Sequence, residues 1–322
     1  MRIFLICCVS LLLVACGDDR PERLQANIKT ADYLIQSLGS KLDAKGIRNA
    51  IILQQYAELL TKQKPELSPL LTELAKDGTR NGPMYGSLTD RLSTLKSQPD
   101  VLGDIEAQLY ESEILVEASD PALFNDALSD PINVIADMSD GQYARVNAIS
   151  QSQSLQANNA EDHGAGSQLV GNPSYGYWQS NNSGVSFWQW YGMYSMFSAI
   201  SPRPIGYYGW SSRRDYSYYN DVGRNRYTSP KQRKSQNDLA QRSKKTFANK
   251  GGFRSPYAKS KTGASSMSTA SKKAQKAPSF AGKSSYSKQK SSSKKLSSSS
   301  SSSSSSFRNS KSTTSRGIKR GK

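Results

Sequence analysis

The sequence predicts a mainly α protein: a small helical bundle or stacked helical hairpins, followed by an aromatic-rich segment and a disordered basic Ser/Lys tail. Three observations lead there. Apolar residues recur at three- and four-residue steps from Leu24 to Met138, punctuated by cap and proline signals. Aromatic residues then crowd into one stretch, 16 of the 55 residues from 173 to 227. Beyond Pro230 the chain carries 24 Lys and Arg against Asp238 alone and includes ten consecutive serines, 297 to 306.

The first expected helix runs through Leu24, Ile28, Ala31, Leu34 or Ile35, and Leu38, with Gly39 as its C-cap. Ser40 to Asp43 reads as a capping box for the next, which follows Ile47, Ile51, Leu53, Tyr56, Leu59 and Leu60 and ends at Lys64-Pro65. Ser68-Pro69 places a cap before a first-turn proline, and Asp77-Gly78 closes that short helix. Leu88, Leu92 and Leu95 share a face of the next, and Asp100 to Ser119 predicts a longer one through Val101, Ile105, Leu109, Leu115 and Val116. Asp120-Pro121 and Asp130-Pro131 repeat the cap-then-proline pattern. Helices joined so closely favour antiparallel neighbours.

From Ser150 the pattern lapses, and residues 150–172 read as a linker. The block 173–229 holds all four tryptophans, and its stretch Val185 to Ile200 carries no charge. Two readings stand open for it. One is a membrane-interface or glycan-stacking patch, because Trp and Tyr pair an apolar ring with a polar tip. The other is a compact turn structure packed against the helices. Residues 230–322 have too few large apolar side chains to offset chain entropy and are expected to be disordered.

Charge divides the chain. Residues 17–162 hold 13 Lys and Arg against 23 Asp and Glu, a net −10, whereas residues 163–322 hold 29 against 3, a net +26. Such asymmetry points to separate modules with separate partners. The cysteines are Cys7, Cys8 and Cys16, all within the first 16 residues, and His163 is the single histidine. A multi-histidine zinc site is thereby excluded, as is a Ser-His-Asp or Cys-His centre that does not use His163. Glu106, Glu111, Glu113 and Glu117 could supply a carboxylate pair for glycoside cleavage, but such density on a helix reads as a solvated face. Glu161-Asp162-His163 reads as a chance cluster rather than a metal site. No catalytic residue, cofactor or metal is assigned, and the expectation is a non-enzymatic protein.

Residues 1–16 read as an export signal: Arg2, an apolar run from Ile3 to Val14 broken only by Ser10, then Ala15 before Cys16. The run is shorter than the ~20 apolar residues that span a bilayer. Leu13-Val14-Ala15-Cys16 resembles the lipobox of bacterial lipoproteins with type II signal peptides. The resemblance implies cleavage before Cys16, a diacylglycerol thioether on its sulfur and a further acyl chain on the new amino terminus. Two or three chains make a lasting membrane anchor, at about 0.8 kcal/mol per buried methylene. In the same family an aspartate directly after the cysteine retains the protein in the inner membrane. Gly17 stands there instead, which implies the outer membrane. The order of lipobox, uncharged aromatic–Met stretch, Gly251-Gly252-Phe253 and Ser/Lys tail also resembles YgiB-like bacterial lipoproteins over roughly residues 183 to 270. That likeness rests on composition and order, leaves out the acidic helices and implies no particular activity.

The domain layout expected is thus a signal peptide (1–15), a lipidated tether (16–23), an acidic helical domain (24–149), the linker, the aromatic-rich segment and the tail. Lys and Arg spaced among serines neutralise phosphates without fixed geometry. Candidate membrane or polyanion contacts are Trp188, Trp190, Tyr191, Arg213, Arg214, Arg224 and Arg226, where cations alternate with rings. The partners expected are a membrane, through lipid on Cys16, and an anionic envelope polymer or lipid bound non-specifically: lipopolysaccharide, anionic phospholipid, acidic polysaccharide or DNA. The alternative is an accessory factor that binds an envelope protein through the helical domain.

Overall fold

A computed structural model describes residues 18–276 apart from Pro202, residues 249–252 and Lys259. The signal, Cys16 and the tail from residue 277 lie outside the described residues. The fold is mainly α, with a single two-stranded sheet among the described residues.

Helix α1 (Arg20–Asp43) buries Leu24, Ile28, Ala31, Ile35, Leu38 and Leu42, the apolar stripe its spacing predicts. It does not stop at Gly39. A Cβ there would sit 2.4 Å from the Tyr85 hydroxyl, so the glycine is a contact point inside the helix rather than its cap. That closeness lets Tyr85 donate to the Ile35 carbonyl at 3.1 Å. Ser40 to Asp43, read as the start of a new helix, forms the last turn of the old one.

Helix α2 (Arg48–Gln63) ends before Lys64-Pro65 as expected, and α3 (Ser68–Ala75) closes in a 3-10 turn at Lys76–Gly78. Helix α4 (Pro83–Ser97) follows. The long helix expected from Asp100 is split instead. A 3-10 turn, Pro99–Leu102, precedes Gly103 at φ +106°, a backbone conformation that suits glycine. Asp104 then caps α5 (Ile105–Ala118) by accepting the Ala107 N–H at 2.9 Å. Asp120 caps α6 (Pro121–Ala127) through the N–H groups of Ala122 and Leu123. Asp130 does not cap its own helix: α7 (Ser129–Met138) begins before it, and its carboxylate serves another segment. Helix α1 packs mainly on α5 and α4, and α2 on α3 and α7.

The expected linker is built into the body. Gln151–Asn158 forms α8, capped by Ser150, and Leu169 and Val170 are fully buried. Strands β1 (Gly176–Ser180) and β2 (Ser186–Trp190) then make an antiparallel hairpin with Trp178 opposite Trp188. Helices α9 (Met196–Ile200) and α10 (Tyr207–Arg213) and a π-turn at Tyr219–Gly223 complete the aromatic block.

The block shares the helices' core. Tyr175, Tyr194, Phe197, Tyr218, Tyr219 and Tyr227 belong to the same buried cluster as Leu38, Leu53 and Leu74. A smaller cluster joins Val170, Trp188, Tyr207 and Trp210 to Leu239 and Ala240 of α11 (Pro230–Thr246). Residues 173–229 form the packed structure, with most of their rings buried, while Tyr177, Val185, Tyr191, Met193 and Ile200 remain exposed on it. The expectation of disorder fails for α11 and for α12 (Thr269–Lys276), which packs on α6 and the π-turn.

Polar contacts seal the seam. The Tyr227 hydroxyl donates to the Ala118 carbonyl at 3.1 Å. The N–H groups of Tyr218 and Tyr219 and the Ser217 hydroxyl all donate to Asp130, each at 2.8 Å. Asp130 thereby caps a turn 88 residues away in sequence from its own helix. Among the described residues two ion pairs also join the halves, Arg226 with Glu117 at 2.8 Å and Arg213 with Glu161 at 3.3 Å.

Candidate functional site

The cationic surface that the fold presents is centred on α11. Ser229 and Gln232 form a reciprocal capping box at its start, with Pro230 in the first turn. Gln236, Leu239, Ala240 and Ser243, at three- and four-residue steps, face inward and are buried. Gln236 donates to the Gly171 carbonyl at 3.1 Å and to the Tyr219 hydroxyl at 3.0 Å, which fixes the helix's rotation. Lys231, Arg242, Lys244 and Lys245 are left exposed on the outside. Lys244 and Lys245 also lie in the last turn, where the helix dipole favours positive charge. Lys272, Lys273 and Lys276 are exposed on α12.

This differs from the arginines singled out by sequence. Arg214 is buried against Asp221, with guanidinium–carboxylate distances of 2.9 and 2.7 Å, and also donates to the Pro256 carbonyl. Arg226 is buried and pairs with Glu117 at 2.8 Å. Arg224 is half-buried, lies 3.7 Å from the Tyr257 ring centroid and donates to Gln236 and Asn237. These three are fastenings of the fold, and a polyanion cannot reach Arg214 or Arg226 without disrupting it. Arg213 stands at the surface, paired with Glu161 at 3.3 Å.

The rings divide likewise. Trp188 is buried against Trp178 and Trp190, and half-buried Trp190 packs on Phe197. Tyr191 is exposed and stacks on Tyr177 with ring centroids 5.4 Å apart. Only Tyr191 and Arg213 of the seven sequence candidates are therefore exposed at the surface. Reading the region from Pro230 on as one low-complexity tail hid α11. Its signal was legible: Ser-Pro-x-Gln is the cap-and-proline start used for the earlier helices, followed by a correctly spaced inner stripe.

The acidic residues considered for catalysis are each tied to an arginine. Glu106 lies 3.5 Å from Arg20, Glu113 lies 3.2 Å from Arg23, and Glu117 holds Arg226. Glu111 departs from the solvated-face expectation: it is buried and pairs with buried Arg91 at 2.6 Å. Asp137 and Asp162 line a half-open cavity of about 190 Å³ beside Met138 and the Gly164–Ser167 backbone. Asp137 is bound by Arg145 and Asp162 accepts the Gly164 N–H. His163 is half-buried, and burial lowers its pKa. Among the described residues no group of three or more His, Cys, Asp or Glu is placed to hold a metal ion. No helix among them is long and apolar enough to cross a membrane.

No protein-family model, curated protein or solved structure matches the chain.

Proposed function

We propose that this chain is a non-enzymatic lipoprotein of the bacterial envelope, held to the outer membrane by acyl chains on Cys16, that binds anionic envelope polymer or lipid through its basic C-terminal part. The observation that carries the reading is α11: an amphipathic helix whose inner stripe is packed on the core while its outer face exposes Lys231, Arg242, Lys244 and Lys245. Cations on a rigid helix meet phosphates without first losing chain entropy, and release of counterions supplies the affinity. The basic residues after Lys276 extend the same charge along the chain. The lipobox resemblance supports the location, and the fastened state of Arg214, Arg224 and Arg226 moves the binding surface outward from where the sequence placed it.

Binding of the full chain to duplex DNA, used as a simple polyanion, tests the reading. Affinity should fall linearly on a log–log plot against salt. Lys231→Gln, Arg242→Gln, Lys244→Gln and Lys245→Gln together should reduce the slope by about 0.9 for each cation that contacts a phosphate. Absent binding, or binding indifferent to salt, would remove the proposal.

A further inference from the structure

The exposed face of the hairpin, with the turn and helix α9 that follow it, is a second feature of the same half. From Gly164 to Pro202 the chain has 39 residues without one Asp, Glu, Lys or Arg. Among the described residues, five of the eight exposed large hydrophobic side chains fall between 177 and 200: Tyr177, Val185, Tyr191, Met193 and Ile200. Tyr177 and Tyr191 are 46% and 44% exposed. The other three exposed hydrophobics, Tyr33, Leu59 and Val101, lie on separate elements far apart in sequence.

This face is held on a stiff base. Trp178 packs edge-on against Trp188 and Tyr207, at 5.1 and 4.9 Å between centroids, and tilts onto Trp210 at 5.0 Å. Leu239 and Ala240 of α11 belong to that cluster, and Phe247, directly after α11, meets Tyr208 of α10 at 4.3 Å. The uncharged hairpin and the basic helix are thus two parts of one packed unit. A soluble polyanion could stack on the exposed tyrosines, but exposed valine, methionine and isoleucine, which cost free energy in water, gain nothing from it. A bilayer surface answers both parts. Tyrosine rings and apolar side chains lower their free energy in the headgroup layer, where a charged neighbour would oppose entry. Lysines and arginines gain beside anionic headgroups.

We propose that the ligand of this half is an anionic bilayer surface, with Tyr177, Tyr191 and Met193 entering the headgroup layer while the outer face of α11 rests on lipid phosphates. The inference rests on the electrostatic reading above and narrows its ligand. It also explains a lipid anchor at the other end: acyl chains hold the protein at the membrane, and the hairpin and α11 set its orientation there.

The test uses the chain from residue 16 with Cys16→Ser, so that acyl chains do not dominate, and vesicles of phosphatidylethanolamine with phosphatidylglycerol. Wild type should bind. Tyr177→Ser, Tyr191→Ser and Met193→Ser combined should weaken vesicle binding about tenfold or more, since three exposed apolar groups no longer leave water, with DNA binding unchanged. Lipids brominated on the acyl chain near the headgroup should quench tryptophan emission of wild type more than of the variant. Equal vesicle affinities for the two chains would overturn the bilayer inference while leaving the electrostatic reading intact. So would DNA binding without vesicle binding, or binding to an uncharged polysaccharide that the triple substitution abolishes. Loss of both vesicle and DNA binding in wild type would remove the electrostatic reading and this inference with it.

Discussion

Asp221→Ala should destabilise the chain by about 3–5 kcal/mol, a large share of the roughly 5–15 kcal/mol that holds a domain folded. Asp221 is a junction. It accepts both terminal guanidinium nitrogens of Arg214, the Ser217 N–H at 3.1 Å and the Lys261 N–H at 3.0 Å. Both members of the ion pair are essentially excluded from water, at 2% and 0% side-chain exposure. Removing the carboxylate leaves a buried guanidinium with its charge uncompensated and two backbone donors without partners. Replacing both members by apolar residues, Arg214→Met with Asp221→Leu, should cost less than the single change, because no lone charge then remains inside. Urea unfolding of the three chains decides the matter. A loss below about 1 kcal/mol for Asp221→Ala would mean that the pair is more open to solvent than described here.

The second large effect concerns Asp77, at the end of α3 and fully buried. One of its carboxylate oxygens accepts the Tyr175 hydroxyl at 2.8 Å and the other has no hydrogen-bond partner among the described residues. Burial raises its pKa from 3.8 to about 7, with the hydrogen bond from Tyr175 opposing and the nearby charge of Glu73 reinforcing the rise. Glu73 itself is paired with Lys76 at 2.6 Å, and Tyr194, whose hydroxyl has no hydrogen-bond partner among the described residues, stands edge-on to Tyr175. The sign follows from the unfolded chain releasing the proton first. Below about pH 4 the carboxyl is neutral in both states and costs nothing. As pH rises from about 4 to about 7, the unfolded form ionises and the folded form does not, so stability falls; above about 7 the loss is complete. Three pH units correspond to on the order of 4 kcal/mol. Asp77→Asn keeps an acceptor for Tyr175 and removes the ionisation. Its stability should match wild type near pH 4, exceed it increasingly up to about pH 7 and keep a constant margin above that, as followed by urea midpoints from about pH 4 to 8. Parallel curves for the two chains would refute the assignment. Asp130, raised to about 6 by burial, adds a smaller loss of the same sign between about pH 4 and 6, and Asp77→Asn leaves that part in place.

The helical half of the fold was legible because one rule governs it. A helix that buries one stripe must repeat apolar residues near every 3.6 positions, and Leu24 to Leu38, like Leu88 to Leu95, obey it. The errors fall where a residue's role depends on something distant in sequence. Gly39 reads as a stop signal by local propensity, but the Tyr85 hydroxyl 46 residues on requires the missing side chain. Asp130 reads as a cap for its own helix and instead caps the turn at Tyr218. Burial of Arg226 was invisible for the same reason, since its partner is Glu117 on α5; Arg214 has Asp221 close by in sequence, but the Pro256 carbonyl that also holds it lies 42 residues on. The aromatic block has no simple period because its core is built from turns, a hairpin and short helices, each contributing a ring or two. The candidate surface was legible as a property of the C-terminal half, positive and aromatic, but not residue by residue. Composition reports how much charge a segment carries; only packing decides which charges face out.

The cationic face is fixed in place only if α11 is seated on the core, and hydrogen exchange in the full chain tests that directly. Backbone amides of Leu239, Ala240 and Ser243 should be protected to a degree comparable with those of Ile35 and Leu38 in α1, because both sets lie on buried stripes of one body. Exchange of the 230–246 amides at the rate of an unstructured chain would contradict it, returning those lysines and arginines to a free tail.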